Sequence, residues 1–451
     1  MRSPWMSSSY KKMDGLRRFQ RKVEGQTFTI LLNEEIGSWM VFTDEDIKRY
    51  DNDQLNELEM ESLYLRGLAL DDQGEMVEFD FPKPEEYPSV VVVNITTTCN
   101  LRCKYCFADC GPIKGEFMSE EVMRLLIEQM FQMPTPLVTF ELQGGEPLCF
   151  KDGIEKFCEI SESLKDKYGK RVQYRTVTNC TLIDDKFIEL AKKYNIITGV
   201  SLDGPKECTD QLRIRADGTG AFDDIMAGIA RLRAAGLDVD GAVCTVGQHN
   251  CSHPKEVVDF FAQQGISFKP RPANKLGREL TNNTTTKDGE WAECYKQMYY
   301  RSKEKGIENF SIHIYEENIY TPIRDYICMR YPCGAAREVI SVNPNGDVFP
   351  CDGFKGEKEF VIGNLLQETL VDMLNKDWVI TLKNRTAESI PQCSKCMFRS
   401  MCCSCCYSAY GEFGTIYRED PTCADRRKIF MFLFDEWIRQ NILGIMPKTP
   451  E

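Results

Sequence analysis

Short apolar runs alternate with amphipathic stretches from about residue 89 onward. The strand-like runs are Val90–Ile95, Val138–Leu142, Tyr174–Thr178, Thr198–Leu202, Val239–Val246 and Ser267–Arg271. Segments with helical periodicity lie between them, for example Ser119–Met133, Asp184–Lys193 and Phe222–Ala235. Alternation of this kind predicts a parallel sheet with right-handed crossovers, and six units are too few for a closed barrel of eight. The pattern therefore predicts an α/β fold with a partial (β/α)6 TIM-like barrel in residues 85–325.

Residues 1–84 follow a different pattern. The runs Phe28–Leu32 and Trp39–Phe42 indicate strands, and Thr43 is a candidate N-cap with acidic residues in the turn that follows. A second helix is expected from about Leu55 to Arg66, ending at a glycine. Three prolines in residues 81–88 are typical of a linker. We therefore expect a small N-terminal α+β accessory unit.

Composition and charge argue against some classes of partner and of cellular location. The 451 residues carry a net charge of −13, which argues against a nucleic-acid partner because such a partner requires a basic face. The sequence contains no apolar run long enough to cross a membrane and begins without the apolar core of a signal peptide. We expect a cytoplasmic protein with no nucleic-acid or membrane partner.

The 21 cysteines are unevenly spread, and they indicate bound metal. Disulfide scaffolds are normally short and secreted, and this chain is neither. Eight of the predicted ligand cysteines fall within residues 326–451, where long periodic segments are scarce. We expect this third unit, residues 326–451, to be shaped by metal.

The first cysteine motif, CNLRCKYC, directly follows the first predicted barrel strand and contains Cys99, Cys103 and Cys106. Active sites form on loops at the C-terminal ends of barrel strands. Three thiolates can ligate three irons of a 4Fe–4S cubane and leave the fourth iron open for another ligand. Zinc is the alternative, and it would need a fourth ligand, for which Cys110 is the nearest candidate.

This CxxxCxxC motif, with the aromatic Tyr105 before its third cysteine, resembles the signature of the radical S-adenosylmethionine (SAM) superfamily. The segment Gly144-Gly145-Glu146-Pro147 follows the second strand and resembles the family's GGEP segment, which lies against the SAM amino group. The resemblance implies a bound 4Fe–4S cluster that cleaves SAM to a 5′-deoxyadenosyl radical. It further implies SAM contacts from Asn179 and Ser201, at the ends of the third and fourth strands, and from Arg213, which resembles the arginine that pairs with the SAM carboxylate. For Arg213, a surface salt bridge is the alternative.

The C-terminal cysteine spacing resembles the SPASM extension of peptide-modifying radical SAM enzymes, which carries two auxiliary 4Fe–4S clusters. The resemblance implies that one cluster is bound by Cys393, Cys396, Cys402 and Cys423. It implies that the other is bound by Cys333, Cys351 and Cys406, with Cys328 as its fourth ligand or with an open site for a substrate thiolate. Cys403 and Cys405 stand where relatives usually have glycine, so they are either idle or alternative ligands.

Asp352 directly follows Cys351. In the related anaerobic sulfatase-maturating enzymes an aspartate there acts as a base, and a carboxylate beside a cluster could accept a proton during substrate oxidation. The alternative role for Asp352 is a hydrogen-bonding turn.

The combined interpretation is a maturase that modifies a ribosomally made precursor peptide, forming a thioether or a carbon–carbon crosslink. Its expected cofactors are SAM and three 4Fe–4S clusters, with an electron donor such as flavodoxin or ferredoxin. Residues 1–84 are expected to bind the leader part of the precursor or to cap the barrel. A sulfatase maturase that makes formylglycine is the enzyme alternative, and an iron–sulfur or zinc scaffold is the non-enzyme alternative.

Overall fold

The computed structural model describes residues 10–79, 86–112, 115–320, 333–402 and 404–447. Most of the predicted linker lies outside these residues, as do Cys328 and Cys403. Within them, no helix is long and apolar enough to cross a membrane.

The N-terminal unit is a small antiparallel sheet with two helices. Its elements are β1 (Lys11–Lys12), β2 (Arg17–Val23), β3 (Gln26–Asn33), β4 (Ser38–Thr43), α1 (Asp44–Asp51), α2 (Glu57–Tyr64) and β5 (Ala69–Leu70). The strands β2, β3 and β4 form one sheet, and β1 pairs with β5. As predicted, Thr43 caps α1 by accepting a hydrogen bond from the Asp46 backbone N–H at 3.2 Å. The predicted second helix is present but shorter.

The strand β2 was not predicted. Its sequence RRFQRKV has no apolar run, because only alternate side chains face the protein interior. A two-residue turn at Glu24 and Gly25, both with positive φ, connects it to β3.

The six predicted barrel strands are all present and parallel. They are β6 (Val90–Thr96), β7 (Leu137–Gly144), β8 (Arg171–Thr178), β9 (Ile197–Ser201), β10 (Gly241–Val246) and β11 (Phe268–Pro272). They pair in chain order, so the predicted α/β fold with an open (β/α)6 arrangement is confirmed.

Helices follow the strands and cover the outer face of the sheet. They are α3 (Glu120–Gln132), α4 (Lys151–Lys165), α5 (Asp185–Tyr194), α6 (Lys206–Leu212), α7 (Phe222–Ala234), α8 (Pro254–Gln264), α9 (Glu279–Asn282), α10 (Glu290–Lys305) and α11 (Phe310–Tyr320). Along β7, Phe140 and Leu142 are buried in the core, whereas Glu141 and Gln143 alternate with them on the other face. The inner face of the partial barrel is therefore polar at this strand.

The C-terminal region continues the same sheet. Its elements are β12 (Val339–Val342), β13 (Asp347–Phe349), β14 (Gly363–Asn364), α12 (Leu370–Leu374), α13 (Asp377–Lys383), α14 (Cys406–Phe413) and α15 (Cys423–Asn441). Strand β12 lies parallel to β6, and β13 and β14 add antiparallel strands beyond it. The auxiliary cysteine region is thus joined directly to the first barrel strand.

The N-terminal unit packs against α15. The Trp39 ring lies 4.7 Å from the Phe434 ring and 5.0 Å from the Trp437 ring, measured between centroids. The Arg21 guanidinium donates two hydrogen bonds to the Asp435 carboxylate, at 2.7 and 2.5 Å. The first and last parts of the chain therefore share one packed interface.

Candidate active site

The first cysteine motif forms a loop after β6. Cys99, Cys103 and Cys106 all carry free, half-buried thiols. The thiols lie close enough for their charges to affect one another, and burial raises the pKa of Cys103 to about 11. For Cys106, the Cys110 thiol hydrogen bond and then the nearby Arg278 charge lower the pKa. Three thiols on one loop, with a cation beside them, suit a cluster bound through thiolates.

The GGEP segment lies directly against this loop. The Gly145 N–H donates to the Thr96 carbonyl, and the Glu146 N–H donates to the Thr98 carbonyl, both at 2.8 Å. A Cβ on Gly144 would stand 2.1 Å from the Thr96 oxygen, and one on Gly145 would stand 2.4 Å from the Thr98 oxygen. Only glycine permits this approach, so both glycines hold the end of β7 against the residues that precede Cys99.

The Glu146 side chain turns inward and organises the end of β8. Its carboxylate accepts hydrogen bonds from the Thr178 hydroxyl at 2.5 Å, the Asn179 N–H at 2.7 Å and the Leu148 N–H at 3.1 Å. Burial raises the pKa of Glu146, and these donors oppose the increase. The carboxylate thus orders the ends of two neighbouring strands.

The Asn179 side chain connects the third strand to the cysteine loop. Its Nδ2 donates to Asn100 Oδ1 at 2.9 Å, and its Oδ1 accepts from Thr181. Asn100 lies immediately after Cys99. The structure therefore places this predicted SAM-contact residue beside the first motif, with its amide engaged by protein groups.

Arg213 lies in a buried ion pair, not in the surface salt bridge that the alternative interpretation predicted. Its Nη2 donates to Asp203 Oδ1 at 3.1 Å, and its Nε lies 3.0 Å from Asp203 Oδ2. The Asp203 carboxylate also accepts from the Thr245 N–H at 2.9 Å and from the Tyr105 hydroxyl. Burial alone would raise the pKa of Asp203, but the Arg213 charge, followed by the His249 contact and the Tyr105 hydrogen bond, lowers it to about 2.

Tyr105 lies in the same cluster, with the Arg213 guanidinium 5.3 Å from its ring centroid. Sequence analysis did not identify Asp203 as the centre of this network, although it stands only two residues after Ser201. Ser201, at the end of β9, has no hydrogen-bond partner for its hydroxyl among the residues that the structure describes. Within the described part of the chain, the Ser201 hydroxyl is thus available to a ligand, whereas the Asn179 amide is engaged by protein groups.

Asp352 has a partner that sequence analysis missed. The Lys355 Nζ lies 3.0 Å from Asp352 Oδ1, and it also donates to Asn94 Oδ1 at 3.2 Å and to the Gly144 carbonyl at 3.3 Å. The lysine side chain is only 7% exposed. Lys355 therefore connects the carboxylate after Cys351 to the ends of β6 and β7. The only signal in the sequence was the i, i+3 spacing of the two charges.

A cavity of about 360 Å³ opens at the mouth of the barrel. Its lining includes Asn94, Gly144, Cys110, Asn343 and Lys355. It thus lies between the first cysteine loop, the GGEP glycines and the turn that carries Asp352.

The C-terminal cysteines form two groups. Cys393, Cys396, Cys402 and Cys423 line one cavity of about 340 Å³. Burial and then the neighbouring thiols raise the pKa of Cys423 to about 12. This grouping agrees with the ligand set implied for one auxiliary cluster.

The second group surrounds Cys406. A hydrogen bond with Cys333, then burial, hold the pKa of Cys406 well above its usual range, and the Cys405 and Cys351 thiols add to the shift. Cys405 therefore lies with the predicted ligands, whereas Cys328 and Cys403 lie outside the described residues.

Among the described residues, no three His, Cys, Asp or Glu side chains converge closely enough to hold a single metal ion. A cubane binds each thiolate to a different iron, so its ligands need not converge on one point. The two cysteine groups and the first loop are compatible with that wider arrangement.

Two family models match the chain. Residues 93–261 match the Radical SAM superfamily, and residues 333–397 match SPASM, an iron-sulfur cluster-binding domain. The open α/β barrel with cysteines at its mouth defines the class as an iron–sulfur enzyme of the partial TIM-barrel type. The chain contains a radical SAM domain and a C-terminal SPASM domain, which define it as an enzyme, and SAM and 4Fe–4S clusters are confirmed as its class of cofactors.

Three similar proteins illustrate the relationship. The serine-type anaerobic sulfatase-maturating enzyme of Bacteroides thetaiotaomicron is 27% identical over 345 residues, which are 69% of this chain and 81% of the relative. The structure of native anSMEcpe with bound AdoMet matches with a TM-score of 0.68 at 20% identity, covering 78% of this chain and 99% of that one. Streptococcus suis SuiB bound to precursor peptide SuiA matches with a TM-score of 0.56 at 16% identity, covering 92% and 100%.

Proposed function

We propose that this enzyme modifies a ribosomally made precursor peptide, forming a thioether or a carbon–carbon crosslink. The observation that carries the proposal is the N-terminal unit, which packs on α15 beside the auxiliary cysteine region. The SuiB structure covers 92% of this chain. The uncovered part is smaller than the 84 residues of the N-terminal unit, so at least part of this unit shares the SuiB fold. A maturase must hold a long precursor peptide near its barrel, and an N-terminal unit of this kind provides a binding surface for that peptide.

SAM would lie across the ends of the barrel strands. We assign its amino group to the GGEP segment, Gly144 to Glu146, and its ribose and carboxylate to Asn179, Ser201 and Arg213. Tyr105 would support this site from the cysteine loop. The free Ser201 hydroxyl favours a direct contact, and Arg213 would reach SAM from its ion pair with Asp203.

We propose three cubanes. The first would be held by Cys99, Cys103 and Cys106. The two others would be held by the cysteine groups around Cys402 and Cys406, with Cys328 or Cys405 completing the latter. Together, cluster and SAM supply a 5′-deoxyadenosyl radical that removes a hydrogen atom from the peptide. A flavodoxin or ferredoxin would deliver electrons, and the cytoplasm would keep the thiols reduced.

Asp352 is proposed as the base that takes up the proton released as the peptide is oxidised. Its contact with Lys355 keeps the carboxylate beside a cation at the barrel mouth. The Lys355 side chain also ties this turn to the ends of β6 and β7, which fixes where the carboxylate can reach. Lys355 lines the 360 Å³ cavity, so Asp352 lies one contact away from the space where the proton would be released.

We propose that the leader peptide adds a strand to the edge of β2 that faces away from β3, an edge that pairs with no strand among the described residues. Val23 pairs with Gln26 across a two-residue turn, so the backbone groups of Phe19 and Arg21 point toward β3. Those of Gln20 and Lys22 point away from β3. An added strand would use these outward groups for its hydrogen bonds.

A proline substitution tests this edge without uncovering Phe434 and Trp437 of α15, which a deletion of residues 1–84 would do. Gln20→Pro removes one outward N–H, and Gln20→Ala is the matched control because it changes the side chain alone. The probe is a precursor peptide encoded beside the enzyme's gene. We expect Gln20→Pro to cleave SAM normally and to lose modification of that peptide. If it modifies the peptide as well as Gln20→Ala does, the leader proposal is wrong.

The second candidate function is sulfatase maturation, which the position of Asp352 and the identity to the Bacteroides thetaiotaomicron enzyme favour. The two functions give different products. A crosslinked peptide loses two hydrogen atoms and gains no aldehyde, whereas formylglycine reacts with a hydroxylamine probe. An aldehyde formed on a sulfatase-derived peptide, and no product with the precursor, would establish the second candidate instead.

A further inference from the structure

The geometry assigns Arg278 as the positioning residue of the first cluster loop: it fixes the loop's shape and its charge raises the reduction potential of the cluster there. This inference rests on the proposed assignment of the first cluster to Cys99, Cys103 and Cys106. Neither the motif nor the resemblance to the family pointed to this arginine.

The Arg278 side chain uses all three of its nitrogens on the loop. Its Nε donates to the Cys103 carbonyl at 2.9 Å, its Nη2 to the Cys110 carbonyl at 2.7 Å, and its Nη1 to Asp109 Oδ1 at 2.8 Å. The Arg278 backbone N–H donates to the Cys106 carbonyl at 3.0 Å. Four contacts therefore span the loop from its second cysteine to its end, and lysine cannot reproduce this planar fork.

Gly277, which precedes Arg278 in the chain, also lies against the first cysteine loop. Its φ is +57°, and a Cβ would stand 2.3 Å from the Phe107 carbonyl oxygen and 2.5 Å from the Cys106 carbonyl oxygen. On the other side, the Asn282 Nδ2 donates to the Lys104 carbonyl at 2.8 Å. Several residues of the segment that follows β11 therefore pack closely against the cysteine loop.

This segment is itself held in place. The Glu279 side chain is buried and accepts hydrogen bonds from the Thr284 and Thr285 backbone N–H groups, the latter at 2.8 Å. The Gln248 Nε2 donates to the Asn283 and Thr285 carbonyls. The polar residues 281–285 are therefore held as part of an ordered support.

The support comes from the far side of the barrel. Strand β11 stands at one end of the sheet order, and β6, which carries the cysteine loop, lies five strands away. An open barrel lacks the strand pairing that would join these positions. The Arg278 contacts supply that connection at the mouth, where the cluster is bound.

The charge of Arg278 matters as well as its shape. The side chain is only 12% exposed whereas its ion-pair partner Asp109 is 68% exposed, so water screens the guanidinium charge less than it screens that carboxylate. The Arg278 guanidinium donates hydrogen bonds to the carbonyls of Cys103 and Cys110, and these contacts place it beside the loop thiols. Reduction of a cluster adds negative charge, and a nearby cation stabilises the reduced form.

The test is an EPR-monitored redox titration of the full-length, reconstituted protein, together with iron content. Arg278→Gln removes both the fork and the charge, and Arg278→Lys keeps the charge alone. Arg102→Gln is the matched control, because it removes the same charge from the same loop at an exposed position.

For Arg278→Gln we expect a potential lower by about 59 mV, a tenfold change in the one-electron equilibrium. We expect Arg278→Lys to keep the potential but to lose iron or to show altered EPR g-values. Arg102→Gln should shift the potential much less than Arg278→Gln.

Three results would overturn the inference: a wild-type potential in Arg278→Gln, an equal shift in Arg102→Gln, or unchanged iron and g-values in Arg278→Lys. The last result remains decisive if Arg278→Gln does not fold. A wild-type protein that binds no cubane at this loop would refute the proposed function instead, so the two failures can be told apart.

Discussion

The buried pair of Arg213 and Asp203 allows the fold and the SAM site to be tested separately. Their side chains are 8% and 0% exposed, so removal of one partner leaves the other charge buried without its main counter-charge. Such a loss costs about 3–5 kcal/mol of unfolding free energy, against about 0–1 kcal/mol for an exposed pair. We therefore expect Arg213→Met and Asp203→Asn each to be strongly destabilising.

The double variant should be far more stable than the sum of the single losses implies. Neither charge is then buried alone, and the asparagine can still accept the Thr245 N–H, which lies 2.9 Å from Asp203 Oδ1. We expect a coupling free energy of at least about 3 kcal/mol. Anaerobic urea denaturation followed by circular dichroism measures it.

SAM binding separates the two roles of Arg213. If the Arg213 guanidinium holds the SAM carboxylate, the double variant recovers stability but still binds SAM roughly 10- to 100-fold more weakly than the wild type. This factor corresponds to the loss of a charge-assisted hydrogen bond, which contributes about 1.5–3 kcal/mol to binding. Calorimetric titration of the reconstituted protein measures this affinity. A coupling below about 1 kcal/mol would refute the buried-pair reasoning, and full recovery of SAM affinity would make Arg213 purely structural.

Three further predictions concern the clusters and the base. Three cubanes imply about twelve irons per chain, and Cys110→Ser should not change that number, whereas a reconstituted sample with zinc and little iron would contradict the assignment. Gly145→Ala places a Cβ 2.4 Å from the Thr98 oxygen, so iron content and SAM cleavage should both fall; wild-type values would show that the loop can give way. Asp352→Ala should keep SAM cleavage and lower peptide product by roughly 100-fold or more, and a normal yield would leave this residue a turn former.

Much of the architecture could be predicted from local pattern. The apolar runs that became β6 to β11 are buried on both sides or alternate strictly, so their periodicity was visible in the sequence. The Thr43 cap was equally visible, because a cap depends on residues three apart. Strand β2 was missed because its side chains gain their partners on α15, more than 400 residues away.

The candidate site likewise has parts that local sequence pattern predicts and parts that it does not. The cysteine motif and the GGEP segment were recognisable because short spacing and glycine at a close backbone approach are local properties. The partners of those residues were not. Lys355 crosses to Gly144, and Arg278 crosses to Cys103, through contacts between positions far apart in the chain.

The sequence by itself determined the parallel α/β class, the type of cluster chemistry and which thiols and glycines stand at the barrel mouth. Only the tertiary structure decided how those groups are oriented: Arg213 against Asp203, Asp352 against Lys355, and the first cysteine loop against Arg278. The reason is physical. Backbone preferences and periodicity act over a few residues, whereas a buried charge takes whichever partner the packed fold brings within hydrogen-bond distance.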